Sequence, residues 1–268
     1  MRIPHDDVEA LMAEASETLV MPRFGRLRAG EIDEKRANDF VTVADREAEA
    51  FLAPRLAALL PGACVLGEEE AASDPARLAR LDGETPLWLI DPVDGTRAFI
   101  DGTDDFALIV ALVRGAELLG GWILQPRLAR RLATERGGGV IRTGFATAPL
   151  AADPAAAPRG MFLGRLPDGT RARDRAAAQV AILPRPGGGA IAFLALAAGD
   201  VDIAYFGRGW PWDHAAGALA AIEGGGAARF LVDGATYTPR RWNAPLLVTR
   251  AADRWSRAQG ILLGRATP

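Results

Sequence analysis

The 268-residue chain is short of several residue types, and each shortage narrows what it can be. It holds one cysteine, so no internal disulfide can form. Cys64 lies in the apolar run Ala63–Leu66, where a small buried hydrophobe is expected rather than a nucleophile. That usage points to a reducing compartment, and the expected location is cytoplasmic. His5 and His214 are the only histidines, too few for a soft imidazole metal site. Lysine occurs once, at Lys35; the remaining basic charge is arginine, which reads as a compositional habit. Thirty-one basic residues against 34 acidic leave a net charge of −3, so no bulk positive field exists to draw phosphate backbones. Nucleic acid is not an expected partner. The longest apolar run, Ala190–Ala198, falls well short of the ~20 residues that span a bilayer. The amino terminus carries Asp6, Asp7 and Glu9 where an export signal needs an apolar stretch, so no membrane role is expected.

What remains is an ordinary globular composition, 49% hydrophobic and 24% charged, with chain enough for one large domain or two modest ones. Val8, Leu11, Met12, Ala15 and Leu19 recur at helical spacing behind two acids. A second helix is expected from Thr42, whose Thr-Val-Ala-Asp start precedes Ala48, Phe51, Leu52, Leu56 and Leu59 and stops at Pro61-Gly62. Strands are expected at Ala63–Leu66, Leu87–Ile90, Phe106–Val113 and Leu118–Leu124, the last two joined by a turn at 114–117. The Ala- and Pro-rich segment Ala146–Arg159 has neither period and marks a division into 1–145 and 146–268. Beyond it, Ala190–Ala198 and Asp213–Glu223 read as helices, Arg229–Val232 and Pro245–Thr249 as strands.

Chemistry concentrates in three places. In Leu87–Thr96 an apolar strand runs into Asp91-Pro92-Val93-Asp94-Gly95-Thr96. Hard divalent cations take oxygen ligands, and such a loop can aim Asp91, Asp94 and the Val93 carbonyl at one point. Gly95 permits close backbone approach, and Thr96 adds a hydroxyl where the chain turns into a helix with unpaired N–H groups. Alone, the string is also an ordinary turn. Gly67-Glu68-Glu69-Glu70 sits at a second strand end; by itself it reads as a solvated face, and beside the Asp loop as a second ligand source. Trp212-Asp213-His214-Ala215-Ala216-Gly217 places an acid at a helix start, where capping is a sufficient explanation that does not exclude ligation. His214 reads as structural.

Taken together and in this order, these motifs resemble the inositol monophosphatase family of magnesium-dependent phosphatases. The likeness extends through Asp39-Phe40-Val41-Thr42 and Asp45 upstream and the glycine-rich stretch Gly187–Gly199 downstream. It implies an α/β fold, the layered αβαβα sandwich of the sugar-phosphatase type, and a homodimer. It implies two or three Mg²⁺ ions held by Glu68, Asp91, the Val93 carbonyl, Asp94 and Asp213. Asp94, Gly95, Thr96 and Asp213 would contact substrate. Glu68 and Thr96 would position and deprotonate a water, with Asp45 hydrogen-bonded to the reactive threonine; a capping box for Asp45 stays open. Lys35 is about one residue out of the family's spacing to Asp39 and is not assigned.

The expected reaction is hydrolysis of a small-molecule phosphate monoester by metal-activated water, with no covalent phosphoenzyme. The sequence leaves the ester open. Relatives acting on inositol phosphates commonly carry an acid shortly before the Trp-Asp pair, and Ile203–Trp210 has none. Arg97–Gly102 looks somewhat like the histidinol-phosphate phosphatase branch, the alternative substrate. Trp88 and Trp122 read as packing residues in strands; for Phe206 and Trp210 packing at a loop is one account, and an aromatic and arginine-bearing rim for a different leaving group is the other. A non-catalytic metal-binding regulator or scaffold is the alternative of another class, disfavoured because Glu68 and Thr96 are both present. Arg127–Arg136 reads as a solvated edge rather than an RNA patch.

Overall fold

A computed structural model describes residues 3–36, 39–145 and 157–265, apart from the Ala29 side chain. The proposed division therefore begins outside the described residues, at 146–156.

Helix α1 (His5–Ala15) buries Val8, Met12 and Ala15 and continues into one π-helical turn, Ser16–Val20, in which Val20 rather than the expected Leu19 is buried. A short polar hairpin follows, β1 (Ile32–Arg36) and β2 (Asp39–Thr42), paired antiparallel. It was not anticipated, because Ile-Asp-Glu-Lys-Arg shows no apolar alternation. Thr42 then opens α2 (Val43–Leu59) through the expected capping box: its hydroxyl accepts from Ala44 N, and Asp45 accepts from Thr42 N at 2.9 Å. Ala44, Ala48, Leu52 and Leu56, four apart, are fully buried along one stripe.

The first sheet contains β3 (Cys64–Gly67), β4 (Leu87–Asp94), β5 (Ala107–Arg114), β6 (Glu117–Gln125), β7 (Arg130–Glu135) and β8 (Gly139–Thr143), in that spatial order. β3 and β4 are parallel and the rest antiparallel. β5 and β6 close through Gly115-Ala116, with Gly115 at φ +56°, the left-handed geometry that matches strand twist in a two-residue turn. All eight residues of β4 are buried, as a strand covered on both faces requires. Cys64 corrects an expectation: it is exposed, because it begins an edge strand whose burial rises only at Leu66 and Gly67. Between β3 and β4 lie α3 (Glu68–Ser73) and a 3-10 stretch, Pro75–Asp82; α4 (Thr96–Ile100) follows β4.

The second sheet has the order β10-β9-β11-β13-β12, built from β9 (Arg159–Leu163), β10 (Ala181–Ile182), β11 (Ile203–Phe206), β12 (Ala227–Phe230) and β13 (Leu246–Thr249). The strand expected at Arg229–Val232 ends two residues early, since Val232 stands exposed in a turn. Helices α5 (Thr170–Ala177) and α8 (Trp255–Leu263) cover this sheet with Ala172, Ala176, Trp255 and Ile261. Helices α6 (Gly189–Ala198) and α7 (Pro211–Glu223) fill the middle layer, packing with Leu89, Ile109 and Ile123 on one side and Ala204, Phe230 and Val248 on the other. α1 and α2 cover the outer face of the first sheet through Trp88, Val110 and Trp122. The order of layers is helix, sheet, helix, sheet, helix, as expected.

Candidate active site

The layers bring the three acidic motifs to one end of β3 and β4, where α3, α4, α6 and α7 begin. β4 ends in a register shift between Asp91 and Asp94, and Gly95 follows at φ +87°. A Cβ on Gly95 would lie 2.6 Å from the Asp105 carbonyl, so both its conformation and its surroundings demand glycine. Thr96 Oγ1 lies 3.0 Å from the Val93 carbonyl and 3.2 Å from Asp45 Oδ1, and its single proton can serve one of them at a time. Asp45 Oδ2 accepts from the Thr42 amide and, at 2.5 Å, from the Thr42 hydroxyl. Asp45 thus closes its own helix with one oxygen and faces Thr96 with the other; the capping and functional readings are compatible.

Asp94 is held by the start of α6. Its two oxygens accept from Gly189 N at 3.0 Å and Ala190 N at 2.7 Å. A Cβ on Gly188 would fall 2.3 Å from Asp94 Oδ2, so the glycine run is a cradle for this carboxylate. Asp213, in the first turn of α7, accepts from Trp210 N at 3.0 Å. Asp91 is buried, and its Oδ1 has no hydrogen-bond partner among the described residues.

Glu68 and Glu69 lie in the first turn of α3, where Lys35 Nζ donates to them at 2.7 and 2.9 Å. The chain's one lysine, left unassigned on sequence grounds, is therefore at the site, carried there by the unanticipated β1–β2 hairpin. Glu49 was also missed. Its carboxylate accepts from the Glu69 and Glu70 amides, both at 2.8 Å, and so fixes the turn that carries Glu68. A Cβ on Gly67 would overlap that carboxylate at 2.1 Å. Glu49 stands four residues after Asp45, on the same helix face, which is a signal the sequence did carry. His214 is buried beside Phe206 and Tyr237, and burial lowers its pKa to about 3, a neutral packing residue as expected.

Electrostatically the site is crowded with acid. Burial pushes Asp91 and Asp213 well above the usual carboxylate range, and neighbouring Glu68 and Asp94 charges push both further. Asp94 is raised to about 6 by burial, opposed by the Ala190 and Gly189 amides. Burial likewise lifts Asp45 to about 7, opposed by its bonds from Thr42. Lys35 goes the other way from a simple buried amine: burial would lower it, and Glu68 and Glu69 together raise it above its ordinary value. A set of buried oxygen donors with one orphaned oxygen and net negative charge fits a hard divalent cation. Among the described residues no three acids or histidines are already closed around one point. Each of Glu68, Asp94 and Asp213 has an oxygen engaged by an ammonium or amide instead. Beside them a cavity of about 600 Å³ is lined by Lys35, Glu68 and Glu69 on one side and Leu78, Trp210 and Trp212 on another. Trp210 is stacked on both Trp212 and Trp242, which makes that wall rigid and apolar.

Known proteins share this fold and much of this sequence. The profile of the inositol monophosphatase family matches residues 6–255. An inositol-1-monophosphatase of Mycobacterium bovis is 33% identical over 271 residues, covering 91% of this chain and 87% of the relative. An IMPase of Thermotoga maritima superimposes with a TM-score of 0.78 at 22% identity, over 97% of this chain and 96% of the other. A 2′AMP-bound SaIMPase-II gives 0.75 at 19% identity, over 97% and 96%. The five-layer fold with its acid-lined joint is that of a phosphoric monoester hydrolase. Within that class, the chain belongs to the inositol monophosphatase family.

Proposed function

We propose that this protein hydrolyses a small phosphate monoester with Mg²⁺ as cofactor, and that Glu68, Asp91, the Val93 carbonyl, Asp94 and Asp213 hold two or three ions. The observation that carries the reading is the orphaned, buried Asp91 Oδ1 amid acids that repel one another. Bound there, such ions would neutralise the ester and lower the pKa of a water. The chain's own residues do the rest. Gly95 and Thr96 contact the phosphate through the backbone beside Asp94. Glu68 and the Thr96 hydroxyl orient the attacking water. Asp45 Oδ1 takes up the Thr96 proton's hydrogen bond, leaving the Thr96 oxygen free to accept from that water. Water attacks phosphorus in line and the alcohol leaves with a proton, so no side chain need be phosphorylated. The working unit is proposed to be a cytoplasmic homodimer.

The test is phosphate release from simple monoesters with Mg²⁺ and with chelator. Asp91→Asn and Asp94→Asn should each lose roughly 10²–10³-fold or more of turnover, the scale of removing one preorganised charge-stabilising group. Unchanged turnover in both variants, or in chelator, overturns the assignment. Histidinol phosphate, the alternative expected from Arg97–Gly102, rests on that likeness alone; what Ile203–Trp210 adds is that it offers no carboxylate to a polyol.

A further inference from the structure

β9 and β11 are parallel neighbours that end level with each other, Leu163 paired with Phe206. Carboxyl ends of parallel strands are where α/β sheets receive ligands. Gly164 and Gly207, the next residues of each strand, pack backbone to backbone: a Cβ on Gly164 would lie 3.2 Å from Gly207 N, and one on Gly207 would lie 3.1 Å from Arg165 N. The backbone of Arg165 is thereby held against the segment that leads to Asp213. A cavity of about 400 Å³ opens at this spot, lined by Arg165, Arg173 and Arg185 together with Phe162, Leu183 and Thr170, and among the described residues no carboxylate lines it. The nearby acid Asp168 is engaged by Arg175 at 3.2 Å. Arg165, Arg185 and Arg208 on these loops and Arg173 in α5, all exposed, have no ion-pair partner among the described residues. In a chain of net charge −3 this is a local concentration of uncompensated cation.

Chain connectivity ties this cavity to the acid site. Arg185 precedes by three residues Gly188, whose Cβ position lies 2.3 Å from Asp94 Oδ2. Three peptide units span at most about 11 Å, so one small molecule can reach both. Phe206, one residue before the Gly207 contact, fills the space beside Gly189, whose amide holds Asp94. With an apolar ring there and arginines beyond it, the leaving-group side repels an ammonium and gives a polyol no carboxylate to bind. Guanidinium forks suit carboxylate and phosphate.

We propose that the leaving group carries a second acidic group, a carboxylate or phosphate, bound by Arg165 and Arg185. This rests on the phosphatase reading above. The experiment compares 3-phosphoglycerate with glycerol 3-phosphate, which differ by a carboxylate in place of a hydroxymethyl group, and fructose 1,6-bisphosphate with fructose 6-phosphate. Histidinol phosphate serves as the cationic contrast. With Mg²⁺ present, kcat/KM should favour the acid-bearing member of each pair by roughly tenfold or more, the worth of one charge-assisted hydrogen bond. Histidinol phosphate should be the poorest. In Arg165→Gln/Arg185→Gln, checked for unchanged Tm and oligomeric state, each ratio should fall toward one. Binding of 3-phosphoglycerate and glycerol 3-phosphate by calorimetry gives the same discrimination without turnover. Release of phosphate from all esters without preference for acid-bearing ones overturns the subsite and leaves the phosphatase reading standing. Preferential binding without any turnover does the reverse. A ratio unmoved by the double variant, or a change of oligomeric state alone, also overturns the subsite.

Discussion

Asp45 and Glu49 stand one turn apart on α2 and hold two different pieces of the acid site, the first facing Thr96 and the second gripping the turn that carries Glu68. Asp45 was legible because the Thr-x-x-Asp start is a local pattern. Glu49 was legible only as a carboxylate on the same face of α2 as Asp45; its partners are amides twenty residues on, and spacing along one helix does not say which distant backbone a buried carboxylate will meet. Its worth can be measured. Glu49→Ala leaves two amides without their acceptor and should cost about 1–3 kcal/mol of stability for each one that stays buried and unpaired. Glu49→Gln retains a carbonyl oxygen and should lose less. Urea unfolding of the three proteins checks the order, and phosphate release should fall in the same order because Glu68 is displaced. Equal stability for Glu49→Ala and wild type would mean the amides find water. Lys35 shows the opposite limit: a single lysine among thirty arginines is conspicuous, yet its place depends on a hairpin with no apolar alternation to announce it.

Elements whose signals are local were the ones the sequence disclosed. The α2 start, the β5–β6 hairpin and the buried α6 follow from capping, a two-residue turn and an unbroken apolar run. β9, β10, β11, α5 and α8 were missed because strands of two to five residues and helices of eight or nine leave too few periods to read. The start of α6 is the element most tightly coupled to chemistry. Its glycines let the Gly189 and Ala190 amides approach Asp94, and an added methyl at Gly188 has a carboxylate in its way. Gly188→Ala should therefore cut phosphate release by roughly 10–100-fold, the usual penalty for disturbing a group that orients a ligand. Its Tm should move little, since the carboxylate can swing aside. Gly30→Ala, where a Cβ meets nothing within 4 Å, is the matched control and should leave both quantities unchanged. Loss of activity in both variants would show that the effect is not specific to Asp94.

At the scale of the molecule, the middle helix layer makes the site possible and also makes it costly. α7 lies so close to β6 that a Cβ on Gly121 would be 2.6 Å from Ala216 Cα, and α6 so close to α7 that one on Gly217 would enter the Phe193 ring at 2.1 Å. That packing seals Asp91 and Asp94 from water in the joint between layers, with Asp213 half-buried beside them and Lys35 the one cation among the described residues bonded to the neighbouring Glu68 and Glu69. Like charges sealed together destabilise the fold, and a divalent ion that binds only the folded chain offsets them. Saturation at one hundred times Kd adds about 2.7 kcal/mol for one site. In a chain of this size each kcal/mol moves Tm by about 2–4 °C, so Mg²⁺ should raise Tm by roughly 5–10 °C over NaCl of equal ionic strength. Asp91→Asn removes a ligand and a repelling charge at once, so it should match or exceed the wild-type Tm without metal and respond far less to Mg²⁺. Thermal unfolding of both proteins, with and without chelator, separates this from general salt effects. An equal response in both would place Mg²⁺ on the surface and leave the buried acids with no cation to answer them.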